Sequence, residues 1–236
     1  MFRFFKKWLP ARDEVRKPMR FVRQSVAMIR REYQGEPLIE RNLDTDPLNQ
    51  FEHWFEEAVA KIANDPNAMV LATVDERGRP STRTVLMKGF DEHGFVFYTN
   101  YNSRKGRNIQ ANAHVSLTFH WSDLMRQIHI EGTAQKLPGS QSDVYFRSRP
   151  VASRISATAS PQSQVVASRE DLEALVREVQ ESYDEADLKR PTHWGGYLVV
   201  PDRIEFWQGR INRLHDRIVY VREEHSGLWR VERLAP

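Results

Sequence analysis

Four short segments combine cations, hydroxyls and amides at spacings that could do chemistry. Arg83-Thr-Val-Leu-Met-Lys88 sets two cations on one extended stretch. Tyr98-Thr-Asn-Tyr-Asn-Ser-Arg-Lys105 puts Ser103, Arg104 and Lys105 where an extended stretch gives way to a helix. Free N–H groups and the positive end of a helix suit a phosphate at such a place. Tyr145-Phe-Arg-Ser-Arg149-Pro, with Ser153 beyond it, brings a phenol and a guanidinium to one helical face, four residues apart. Asn212-Arg-Leu-His-Asp-Arg217 alternates Arg213, His215 and Arg217, which on a strand would project from the same face. Burying that many cations together is unfavourable unless anions compensate. Each segment taken alone also fits ordinary solvated charge. Together they imply two phosphate-suited places and a cationic stripe, hence one phosphorylated cofactor and one phosphorylated substrate.

The elements that must hold these residues follow from periodicity. A helical pattern covers 19–33. Asp46-Pro47 is a helix start, with Asp as N-cap and Pro at the first helical position. Leu48, Phe51, Trp54, Phe55, Ala58, Val59 and Ile62 then recur at three- and four-residue steps until Asp65-Pro66. Strands are expected over 69–74, 80–90 and 95–99, separated by the turns 75–78 and 91–94. A short helix capped at Asn102-Ser103 runs to 112, and strands follow over 114–121 and 127–137. A helix from Gly139 to Ser148 precedes a Ser/Ala-rich stretch, 151–163. Ser168 caps a helix to about 183 with Leu172, Leu175, Val176 and Val179 as its buried stripe. Strands over 197–200, 204–208, 213–221 and 228–234 close the chain. On the alternating strand, Arg83 and Lys88 have opposite parity, so one site could use both only with a bulge or a second subunit. Close-spaced strands with a few covering helices point to a closed or nearly closed antiparallel barrel in a single domain, 19–236, behind a poorly ordered tail, 1–18.

Composition narrows the function classes. In 236 residues, 35 basic side chains nearly balance 32 acidic ones, a weak case for nucleic acid. The hydrophobic fraction of 40% and charged fraction of 28% are ordinary for a soluble globular protein. The absence of Cys excludes disulfides, thiolate metal sites and a Cys nucleophile. No stretch approaches the ~20 apolar residues of a membrane span. The tail mixes Phe2, Phe4, Phe5 and Trp8 with Arg3, Lys6 and Lys7, without the continuous apolar core of a secretory signal. A cytoplasmic protein is expected.

These motifs resemble the pyridoxamine 5'-phosphate oxidase family. The resemblance covers about 28–236 and includes Arg-Arg-Glu-Tyr ending at Tyr33, Asp46-Pro47, the segments from Arg83 and Ser103, Trp194-Gly-Gly, Phe206-Trp-Gln-Gly, Arg213 to Arg217 and the closing Arg233-Leu-Ala-Pro. It implies a mainly β fold with flanking helices (α+β), an antiparallel FMN-binding split β-barrel, working as a homodimer with FMN at two sites between subunits. By motif position, Arg83, Arg104 and Lys105 would hold the FMN phosphate, with Gln162 and Ser163 near it. Lys88, Tyr98, Thr99, Gln127, Trp207 and Arg217 would line the rest of the flavin site. Lys88, Tyr145, Arg149 and Ser153 would bind the substrate phosphate. Arg213 and His215, the catalytic candidates, would hold the pyridine ring, and Arg30 and Tyr33 would close over it. No metal is implied. The expected reaction turns pyridoxamine or pyridoxine 5'-phosphate into pyridoxal 5'-phosphate: a hydride passes to the flavin, and O2 then yields H2O2.

The chain departs from the family pattern at Ser156 and Thr158, where Gly and Trp are usual. Losing a Trp removes a large apolar anchor. The competing readings are a split-barrel flavin reductase or haem binder with another substrate, and a non-catalytic carrier of pyridoxal 5'-phosphate or flavin. The joint presence of Lys88, Tyr145, Arg149 and Arg213 favours the oxidase.

Overall fold

Asp46 begins the first helix as expected: its carboxylate accepts the Leu48 N–H at 2.8 Å, satisfying one of the donors a helix start leaves over. The helix, α1 (Pro47–Lys61), turns Leu48, Phe51, Trp54 and Ala58 inward and leaves Val59 at the surface. Phe51 is fully buried, edge-on to Phe95 at 4.8 Å between ring centroids and to Phe90 at 4.9 Å. Burial of each such ring stabilises by about 1.5–3 kcal/mol.

The computed structural model describes residues 31–182 and 188–236. Arg30, the expected tail 1–18 and the expected helix up to residue 30 lie outside the described residues, and 31–39 carry neither helix nor strand. Tyr33–Pro236 forms one compact unit.

The strands are β1 (Ala68–Val74), β2 (Pro80–Leu86), β3 (Gly89–Asp91), β4 (Gly94–Asn100), β5 (His114–Trp121), β6 (Arg126–Lys136), β7 (Trp194–Gln208), β8 (Asp216–Arg222) and β9 (Trp229–Leu234). They form one antiparallel sheet ordered β2-β1-β5-β6-β7-β4-β3, with β8 on β7 and β9 on β8. The sheet curls into a half-open barrel around Leu71, Leu117, Phe119, Ile128, Ile130, Ile204 and Phe206, with α1 against that face. The helices α2 (Arg104–Ala111), α3 (Gly139–Ser148), α4 (Val151–Ala159) and α5 (Arg169–Ser182) fill the connections.

Several elements differ from expectation, each for a local reason. The strand expected over 80–90 ends at Leu86, because Met87 turns into the core and exchanges hydrogen bonds with Asn67. The strands expected over 197–200 and 204–208 are one strand, β7, with a bulge opposite Glu131 and Gly132 that accommodates Pro201, which has no N–H to give the ladder. The Ser/Ala-rich stretch is helical: Ser156 Oγ and Thr158 Oγ1 donate to Ala152 O and Arg154 O within α4, so the two departures from the family pattern are accommodated in a regular turn. No residue of α5 is buried. Leu175 is exposed, and Leu172, Val176 and Val179 are only half-buried, because α5 packs against the short α4 rather than on the sheet. Finally, the strand expected from Arg213 begins at Asp216. Asn212 and Arg213 are left-handed, with φ of 55° and 60°, in a turn that cannot continue a ladder.

Candidate active site

The two ends of the sheet path meet at a seam, where the Lys88 N–H donates to Val96 O at 2.8 Å. A cavity of about 630 Å³ opens there between β2, β4, α2, α3 and α4. It brings together Arg83, Lys88, Tyr98, Thr99, Lys105, Tyr145, Arg149, Ser153 and Gln162. Arg83 and Lys88 share it within a single subunit. The break after Leu86 resets the side-chain alternation, so neither a bulge in β2 nor a partner is needed to bring these two together.

One cationic group lies where β2 meets α2. Arg83 is tied to Leu71 O at 3.0 Å, Thr73 Oγ1 at 2.9 Å and Ser81 Oγ at 2.7 Å. Buried Asn108 reaches the same two hydroxyls from α2, at 3.0 and 3.3 Å. Ser103 caps α2 by accepting the Gly106 N–H at 3.3 Å, which points Arg104 and Lys105 out of the first turn. Lys105 Nζ donates to Gln162 Oε1 at 2.9 Å and Thr99 Oγ1 at 3.2 Å. Burial, and then the charge of Arg83, lowers the Lys105 pKa to about 8. Burial and the charge of Arg104 likewise lower that of Arg83. Cations that are both partly buried and crowded by like charge mark a place prepared for an anion.

The other cation sits among aromatic rings. Tyr98 stacks on Tyr145 at 3.8 Å and on Trp194 at 5.5 Å, and the Arg149 guanidinium lies 4.8 Å over the Trp194 ring. Burial raises both phenol pKa values, so the hydroxyls stay neutral donors. Tyr98 pairs with Gly196 across the ladder, and a Cβ there would come within 2.8 Å of the phenol ring. This is why a Gly pair follows Trp194. Among the described residues Arg83, Lys88, Arg104, Lys105 and Arg149 have no carboxylate ion-pair partner, and the buried Nη1 of Arg149 has no hydrogen-bond partner. An organic phosphate carrying a flat ring fits this set: anions for the unpaired cations, and a heterocycle for the stacked rings. FMN is such a molecule.

The remaining expected residues lie elsewhere. Gln127, Trp207 and Arg217 are cross-strand neighbours on β6, β7 and β8. Tyr33, Trp207 and His215 form an aromatic trio with centroids 4.6–5.7 Å apart. None of these lines the cavity of its own subunit, nor do Arg104, Ser163 or Arg213. Ser163 stands in the loop after α4 with φ of 69°. The one-face stripe of Arg213, His215 and Arg217 does not form, since the first two precede β8. Arg217 instead grips buried Glu205 at 2.7 and 3.0 Å, with Arg203 on the same carboxylate. Burial works to raise the Glu205 pKa, but the hydrogen bond and charge of Arg217 and the charge of Arg203 outweigh it and hold the carboxylate ionised. Burial, and then Arg213, lowers the His215 pKa. Sequence reasoning gave no site role to Trp194, Asn108 or Glu205. The first had a signal in Trp-Gly-Gly, whereas the other two have only tertiary ones.

Fold and cavity together define a split-barrel protein built for a phosphorylated, ring-bearing ligand. Residues 55–183 match the family model described as pyridoxamine 5'-phosphate oxidase, and 194–236 match that for the pyridoxine 5'-phosphate oxidase C-terminal dimerisation region. The chain is 52% identical to the pyridoxine/pyridoxamine 5'-phosphate oxidase of Rubrobacter xylanophilus, over 91% of this chain and 98% of the relative. It is 50% identical to that of Paraburkholderia phytofirmans, over 90% and 99%. Among solved structures, it superposes on PhzG from Burkholderia lata, in complex with tetrahydrophenazine-1-carboxylic acid, with a TM-score of 0.79 at 30% identity, covering 86% of this chain and 100% of the other. An FMN-binding protein from Nostoc punctiforme has a TM-score of 0.67 at 18% identity, over 82% and 100%, and shares the fold. The chain belongs to the pyridoxamine 5'-phosphate oxidase family.

Proposed function

We propose that the protein is an FMN-dependent oxidase that converts pyridoxamine 5'-phosphate or pyridoxine 5'-phosphate to pyridoxal 5'-phosphate, with O2 as acceptor and H2O2 as second product. The observation that carries this reading is the cavity with two separate cationic groups, neither paired to a carboxylate, beside stacked aromatic rings. One group suits a cofactor phosphate and the other a substrate phosphate. Bound FMN supplies the two-electron acceptor that these side chains lack.

Arg83, Arg104 and Lys105 hold the FMN phosphate, with Gln162 and Ser163 beside them. Lys88, Tyr98, Thr99, Gln127, Trp207 and Arg217 line the rest of the flavin. Lys88, Tyr145, Arg149 and Ser153 take the substrate phosphate. Arg213 and His215 orient the pyridine ring, and Arg30 and Tyr33 cover it. The protein's contribution is to hold the reacting carbon at near-attack distance and keep water away. Trp207, Arg213, His215 and Arg217 all fall in the matched dimerisation region, away from their own subunit's cavity. A homodimer in which these four residues of each subunit complete the partner's cavity accounts for that division. Among the described residues no helix is long and apolar enough to cross a membrane. A cytoplasmic setting suits doubly charged substrates that do not cross bilayers unaided.

The deciding experiment is anaerobic addition of pyridoxine 5'-phosphate to the FMN-loaded protein. Bleaching of the flavin band, reversed by air with formation of pyridoxal 5'-phosphate, is the expected result. An unchanged band would leave a flavin or vitamer carrier.

A further inference from the structure

Residues 33–40 run as a strap across the turn that carries His215, and two kinds of contact fix it. The first is close backbone approach. The Gly35 N–H donates to Gly209 O at 3.1 Å, a Cβ on Gly35 would stand 2.1 Å from the Gln208 amide, and one on Gly209 would stand 2.5 Å from the Tyr33 ring. The second is charge, and it converges on Asp216. Its Oδ2 accepts the Leu38 N–H at 3.1 Å and lies 3.4 Å from Arg210 Nε, while its Oδ1 accepts from Arg233 at 2.6 Å. Arg233 extends the clamp to Glu40 at 2.6 and 2.9 Å and to Leu38 O at 2.7 Å, and Arg210 donates from its other end to Gly35 O.

The same Arg210 governs the histidine. Its backbone N–H donates to His215 Nδ1 at 3.0 Å, so the neutral ring must carry its proton on Nε2. Tyr33, at the start of the strap, meets the His215 ring edge-on at 5.2 Å. We infer that Asp216 is a positioning residue: through Arg210 and the strap it holds His215 as the Nε2–H tautomer, with Tyr33 packed on the ring, so that a donor of fixed direction faces the substrate. This rests on the role given to His215 in the proposed function. Asp216 itself touches no reacting group. A carboxylate is required there because three partners approach it as donors, and an amide would offer one of them a donor in return.

The test uses FMN-loaded protein with 15N-labelled histidine, the His215 signal being assigned with His215→Gln. The wild type should show the Nε2–H pattern without substrate. Asp216→Asn should mix the two tautomers and lower kcat/KM for pyridoxine 5'-phosphate roughly ten- to a hundredfold, mostly through KM, with FMN affinity unchanged. An unchanged tautomer in Asp216→Asn would overturn the inference, as would a loss of activity that only tracks lost FMN binding and a lower Tm. Should that variant not fold, Arg210→Met removes one arm of the clamp and is read in the same way. If wild-type protein does not react with pyridoxine 5'-phosphate, the proposed function fails, whereas the tautomer in the substrate-free protein still decides the role of Asp216.

Discussion

Lys105 is a cation kept charged at some expense. With its pKa lowered from 10.5 to about 8 by burial and Arg83, it is ammonium below pH 8 and increasingly neutral above. A phosphate favours the charged form, so FMN affinity should fall as pH rises through about 8, and Lys105→Arg should flatten that fall, both measured by quenching of flavin fluorescence. The sign for folding is the reverse. Between about 8 and 10.5 the unfolded chain holds a proton that the folded one has released, so this group's contribution to the stability of FMN-free protein rises over that window. Glu205 gives a second prediction at this scale. Glu205→Ala leaves Arg217 without its anion, while Arg203 keeps Glu131, and should cost about 3 kcal/mol in urea unfolding. Residue types at the cavity were legible because unpaired cations, phenols and hydroxyls recur in short runs. Glu205 was not, since nothing local ties residue 205 to residue 217.

At the level of elements, the caps and the tight glycines do most to aim side chains. Ser103 ends β4's run and starts α2 within a few residues, which is how a strand residue, Thr99, and a helix residue, Lys105, come to share Gln162. Gly196→Ala would push on Tyr98 and Leu137. Overpacking of this kind should destabilise by about 1–3 kcal/mol and weaken FMN binding through the displaced Tyr98–Tyr145 stack, read by denaturant unfolding and flavin titration. Helix starts and most strands were legible because caps and alternation are local. The helix α4 was not, since Val-Ala-Ser-Arg-Ile-Ser-Ala-Thr-Ala has no broad apolar stripe. Nor was the turn at Asn212 and Arg213. Alternation in the sequence predicted a strand; Asn212 is a type that tolerates left-handed backbone, but nothing in the type of Arg213 marks it as a second such residue.

The whole molecule separates what each site needs. The cavity forms where the ends of the curled sheet meet, while the Tyr33–Trp207–His215 trio gathers at the other end of β7, with only Trp207 on a strand. If sites are completed between subunits, mixing Lys105→Met and His215→Gln protein, each inactive alone, should restore activity, because one site of the mixed dimer then carries neither change. Sites closed within one subunit would leave the mixture inactive. By itself the sequence determined the strand-rich class, the positions of the caps and the cation-bearing motifs, because these depend on side-chain chemistry and on contacts a few residues apart. Only the tertiary structure decided that Arg83 and Lys88 share a cavity, that Arg217 is neutralised by Glu205, and that Asp216 ties the strap to His215. Those pairings join residues distant in the chain, and they exist only once the sheet has curled and set its register.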